Sequence, residues 1–117
     1  GDWTWRNEAG QSTARFAQGL LEMRCERGSG SVVILRTGTA GGPLPATIVT
    51  TSTRRMVTAQ PFAGPPAVMA IRLAARDAIL DAMAFSRGRF AIEVAGLAPV
   101  YAPSWPEVAR VIEDCRA

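Results

Sequence analysis

The strongest constraint on this chain is the rhythm of its apolar residues. Short stretches alternate apolar and polar side chains, and each is cut off by Gly, Pro or Ser. A period of two marks a strand with one buried face, and runs this short leave little room for long helices. Leu21-Glu22-Met23-Arg24-Cys25-Glu26 sets Leu21, Met23 and Cys25 on one side, and Phe90, Ile92 and Val94 alternate with Arg89, Ala91 and Glu93. Strands are expected at residues 3–8, 13–18, 20–26, 31–37, 46–51, 54–60, 67–73, 89–95 and 97–101. Arg27-Gly28-Ser29-Gly30 reads as a turn, 38–45 and 61–66 as loops, and Ser52-Thr53 as the tip of a hairpin.

Two segments break the strand rhythm. Asp77 can cap a short helix over Ala78–Ala84, with Ile79, Leu80 and Met83 free to pack. Near the C-terminus, Ser104-Trp105-Pro106-Glu107 has the form of a capping box. Ser104 would be the N-cap, Glu107 would reach back to it, and Pro106 would sit in the first turn. Val108, Val111, Ile112 and Cys115 then recur at i, i+3, i+4 and i+7, the apolar stripe of a helix. The expected architecture is mainly β within the α+β class. It is an antiparallel β-sandwich or partly open barrel with a short helix and a C-terminal helix, forming one domain over residues 1–117.

The residue types that are missing restrict the chemistry. Among 117 residues there is no His, and all 13 basic residues are Arg. That removes Ser-His-Asp and Cys-His pairs, Schiff-base lysines and the phosphate-loop lysine. Two Cys without a His cannot build the usual four-ligand zinc site. Neither a cofactor nor a metal is expected, and the chain is expected not to be an enzyme. The acid pairs Asp77/Asp81 and Glu22/Glu26 are accounted for as a cap and as a salt ladder around Arg24.

Cys25 lies on the apolar face of its strand and Cys115 on the apolar stripe of its helix. A bridge between them would fasten the last helix to an early strand. Two separate buried thiols are the alternative. The bridge is preferred because small secreted domains commonly use such a staple. Gly1 in place of Met is read as a cloning scar, with a secretory leader removed. No stretch approaches the ~20 apolar residues that span a bilayer. The expected compartment is periplasmic or secreted.

Charge is uneven along the chain. Residues 27–76 hold six Arg and no acid, against a total net charge of +3. A basic segment can attract nucleic acid, yet only Phe62 could offer stacking there, so no nucleic-acid binding is expected. The six Arg should scatter over both strand faces, with Arg54 and Arg55 pointing to opposite sides. The most conspicuous local motif is Phe85-Ser86-Arg87-Gly88-Arg89-Phe90. Its Gly permits a turn that brings two planar guanidiniums together, and Ser86, Arg87 and Arg89 form a candidate anion site. The preferred structural account of the same motif sends Phe85 and Phe90 into the core and pairs Arg87 and Arg89 with Asp77, Asp81 or Glu93. Trp3, Trp5 and Trp105 are assigned to the core or a strand edge rather than to ligand stacking.

Three stretches carry a resemblance: Leu21-Glu22-Met23-Arg24-Cys25, then residues 86–97, then the helix ending in Asp114-Cys115-Arg116. Their layout resembles uncharacterised secreted domains of alphaproteobacteria. More distantly it is similar to the invasion-associated locus B and type VI secretion accessory families. The resemblance implies an extracytoplasmic β-rich domain without known catalytic residues, and no functional residue carries over from it. The expected function is a non-enzymatic periplasmic or secreted accessory domain that binds another cell-envelope protein. The alternative is a small-ligand or anion-binding module using Arg87 and Arg89.

Overall fold

In the computed structural model, which describes residues 1–117, nine antiparallel strands form one open sheet. They are β1 (Trp3–Glu8), β2 (Gln11–Phe16), β3 (Leu21–Glu26), β4 (Ser31–Thr37), β5 (Leu44–Val49), β6 (Arg54–Phe62), β7 (Val68–Ala74), β8 (Arg89–Val94) and β9 (Val100–Pro103). The helices are α1 (Ala78–Ala84) and α2 (Pro106–Arg116). The strand order is β1-β2-β3-β4-β7-β6-β5-β8-β9. Strands β1 to β4 form a meander. Strands β5, β6 and β7 form a second one, laid down in reverse so that β7 pairs with β4. The long strand β6 joins two parts of the sheet: Arg54–Ala59 pairs with β5, and Gln60–Phe62 pairs with β7.

The alternation seen in the sequence becomes an inner and an outer face. Leu21, Met23 and Cys25 on β3, Val32 and Ile34 on β4, and Met69, Ile71 and Leu73 on β7 point inward and are buried. They join Ile48, Phe90, Ile92, Val94 and the buried residues of both helices in one cluster of 25 residues. Helix α2 buries Val108, Val111 and Ile112 against this cluster. Each such side chain contributes about 1.5–3 kcal/mol. Its last turn is bonded to the sheet by the Cys25–Cys115 disulfide, with the two Cα atoms 5.3 Å apart.

Indoles organise the first strand. The Trp3 indole N–H donates to the Pro103 carbonyl at 2.7 Å, so one side chain links the two outermost strands, β1 and β9. Its ring centroid lies 5.4 Å from that of Phe16 and 6.5 Å from that of Phe90. Trp5 donates to Ser12 Oγ, which donates in turn to Asp114 of α2, while the Arg110 guanidinium lies 3.6 Å from the Trp5 ring centroid. The sheet is therefore curled but not closed.

The sequence places β1, β4 and α1 with the observed bounds and shifts others by a few residues. The second strand runs over Gln11–Phe16 because the β1–β2 turn is only Ala9-Gly10, both at positive φ. Pro45 lies in β5, and Pro61 and Phe62 lie in β6, where loops were expected. Asp77 caps α1 as expected, accepting from the Ile79 N–H. The capping box at α2 does not form. Trp105 holds the N-cap position without a side-chain bond, and the Ser104 hydroxyl donates instead to the Met83 carbonyl at the end of α1. The Met83 carbonyl lacks an i+4 partner within the helix and accepts only a 3.3 Å bond from the Ser86 N–H, which leaves a lone pair for that hydroxyl.

Candidate functional site

The Phe85–Arg89 segment leads from α1 into β8 and is held by hydrogen bonds of the Ser86 and Thr51 hydroxyls. Ser86 is buried and fully used: its hydroxyl accepts from the Thr51 N–H at 3.0 Å and donates to the Arg89 carbonyl at 2.6 Å. Thr51 replies, its own hydroxyl accepting from the Arg87 N–H at 3.1 Å. The tip of the β5–β6 hairpin is thus tied to the loop that follows α1. Gly88 has φ +78°, a left-handed conformation that costs an L side chain about 1–2 kcal/mol. Its carbonyl accepts from the Ser104 N–H, which brings the start of α2 to the same place.

The side chains around this frame are exposed. Phe85 is 80% accessible, Tyr101 51% and Trp105 39%. Arg89 lies over the Tyr101 ring, 5.0 Å from its centroid. The aromatic and basic side chains both depart from the positions expected of them. Phe85 does not enter the core, although Phe90 does. Arg87 and Arg89 do not pair with the acids assigned to them, because other arginines have taken two of those acids. Arg55 grips Asp77 with two bonds of 2.5–2.6 Å from β6, and Arg116 grips Asp81 from the end of α2. Each bond lowers the pKa of its aspartate, first through the arginine hydrogen bond and then against a smaller opposing effect of burial. Arg87 and Arg89 are left without a carboxylate; Arg89 lies over Tyr101, and Phe85 and Trp105 are accessible on neighbouring segments.

The remaining arginines of the basic middle segment scatter. Arg27 donates to the Asp114 carbonyl, Arg76 to the Arg116 carbonyl, and Arg36 to the Thr37 and Ala98 carbonyls. Arg72 turns to the outer face and pairs with Glu26. Arg54 is exposed while Arg55 bonds Asp77, so these neighbours do point to opposite sides.

A second arrangement, on the outer face of the sheet, was only partly visible in the sequence. Glu22, 9% exposed, receives Arg15 Nε at 2.8 Å and also pairs with Arg24. Arg15 continues to Glu8 at 2.7 Å, and these carboxylates raise its pKa. The Glu22–Arg24–Glu26 alternation pointed to a salt ladder. The contribution of Arg15 depends on the β2–β3 register, which no local pattern specifies.

No group of three or more potential metal ligands occurs anywhere in the chain, and no helix is long and apolar enough to cross a membrane. Compared with protein families, curated proteins and solved structures, the chain matches none. Its geometry and chemistry therefore carry the functional argument.

Proposed function

We propose that this chain is a non-enzymatic, extracytoplasmic accessory domain that docks another cell-envelope protein through the end formed by Phe85, Arg87, Arg89, Tyr101 and Trp105. One observation carries the proposal: Arg87 and Arg89 lack a carboxylate, Arg89 lies over the exposed Tyr101 ring, and Phe85 and Trp105 are exposed on neighbouring segments that the Ser86 and Thr51 hydroxyls and the Ser104–Gly88 backbone bond tie together. Aromatic residues and Arg dominate the energetics of protein interfaces, and a rigid frame limits the ordering cost of docking. The free guanidiniums select a partner surface that carries Asp or Glu. The Cys25–Cys115 bond supports a periplasmic or secreted setting, since such bonds persist in oxidising compartments. The resemblance to secreted envelope domains points the same way. Dispersal of the basic middle segment favours a protein partner over nucleic acid, because the segment presents no continuous stripe.

The test is the native size of the protein in an envelope extract, read by gel filtration. The wild type is expected in a larger complex that salt dissociates, and Phe85→Asp and Arg87→Glu are expected to run as the free domain. Both positions are exposed, so neither substitution should unfold the chain. A wild type that elutes alone, or variants that stay in the complex, would refute the docking end. Self-association of the purified protein through these residues would reassign the partner to a second copy.

A further inference from the structure

The outer face of the sheet carries a trough of about 710 Å3 whose lining shares no residue with the docking end. Strand register fixes its floor in three rows. The first runs Arg24–Val33–Arg72 across β3, β4 and β7, and the second runs Glu22–Leu35–Ala70. The third runs Thr37–Val68–Phe62 across β4, β7 and β6. The floor thus grades from charged to apolar, and the half-exposed Phe62 stands at the apolar end.

The arginines along it are not equivalent. Arg15 is the most engaged, since Glu22 and Glu8 between them contact its Nε and both terminal nitrogens. Arg24 and Arg72 each bond a single carboxylate oxygen, of Glu22 and Glu26 respectively. A guanidinium carries five N–H donors, so most of theirs have no acceptor in the protein. They stand two strands apart, roughly 10 Å at the backbone, on either side of Val33. From there both side chains can reach one anion. The three arginines are balanced by Glu8, Glu22 and Glu26, so what favours an anion is the unused N–H donors of Arg24 and Arg72 rather than net charge. Its volume falls within the roughly 300–1,000 Å3 of small-molecule sites.

We propose that this trough binds a single-chain amphiphile with an anionic head, carboxylate or phosphate. Arg24 and Arg72 hold the head, and the chain lies over Leu35, Ala70, Val68 and Phe62. A cationic head would meet carboxylates already matched by arginine, and a neutral one would leave the free donors unused.

Calorimetric titration of the full chain at low salt tests this, with decanoate and decyl phosphate as probes. Decyltrimethylammonium is the control of opposite charge. At least one anionic probe should bind saturably with one-to-one stoichiometry, and comparing the two identifies the head. Arg72→Gln should weaken it at least about tenfold, the worth of one charge-assisted hydrogen bond. Phe62→Ser should weaken it too, while Phe85→Asp should leave it unchanged, which separates this site from the docking end. Arg72 and Phe62 are exposed, and unchanged thermal melting will confirm that these variants fold. No saturable binding of either anion, equal binding of the cation, or wild-type affinity in Arg72→Gln would each overturn the proposal.

Discussion

Ser104 shows how one hydroxyl changes its role between sequence and fold. Its position three residues before Glu107 fits a capping box, but the hydroxyl donates across to the Met83 carbonyl at 2.9 Å. The competing acceptor is 21 residues away in sequence, and a local motif cannot reveal it. Ser104→Ala should therefore destabilise by about 1 kcal/mol, the usual worth of one such bond. Glu107→Ala should cost no more than a few tenths of that. A urea titration of both variants checks the contrast, and equal losses would restore the capping box. Phe85 lies outside the core for a related reason. Its apolar character says nothing about where the chain turns, and α1 ends at Ala84 with Phe85 already directed to solvent.

Among the elements, α1 is short and is held by charge at its start and at its middle. Arg55 bonds Asp77 at its N-cap, and Arg116 bonds Asp81 in its body. Both aspartates have pKa values below their ordinary 3.8. A carboxylate whose pKa falls on folding contributes stability above its unfolded pKa and loses it as pH drops through the folded one. Stability should thus be level from neutral pH down to about 4 and fall below that. Both pairs are partly exposed, so the effect is small and screened by salt. Arg55→Gln with Arg116→Gln should flatten the acid limb of a melting-temperature profile, and an unchanged limb would place the acid sensitivity elsewhere. Strands were the most legible elements because one-sided burial writes itself as alternation; Met23 and Ile92 are examples, both buried at alternating positions. Strand order was not legible. The β4–β7 pairing joins residues more than thirty positions apart, and nothing in either run names its neighbour.

At the scale of the whole molecule, an open curled sheet is locked from both ends of the chain. Trp3 links its first and last strands, and the Cys25–Cys115 bond spans 90 residues. Closing so long a loop is worth about 4–5 kcal/mol in the chain-entropy model. Cys25→Ser should destabilise by about 2–5 kcal/mol in chemical denaturation, and the unreduced, unfolded wild type should show no free thiol. Two titratable thiols would contradict the bridge. Its two cysteines were legible because each lay on the apolar face of its own element. The proposed docking end was half legible: the Ser86–Arg89 motif was visible, but Tyr101 and Trp105 join it only through the β8–β9 pairing and the Ser104–Gly88 bond. The most direct measurement is site-specific photo-crosslinking in the intact envelope, with the reactive residue at position 85 and a control at Glu113 on the exposed side of α2. A single adduct of defined mass from position 85, lost in Arg87→Glu and absent from 113, is the predicted result. No adduct from 85, or the same adduct from both positions, would contradict it.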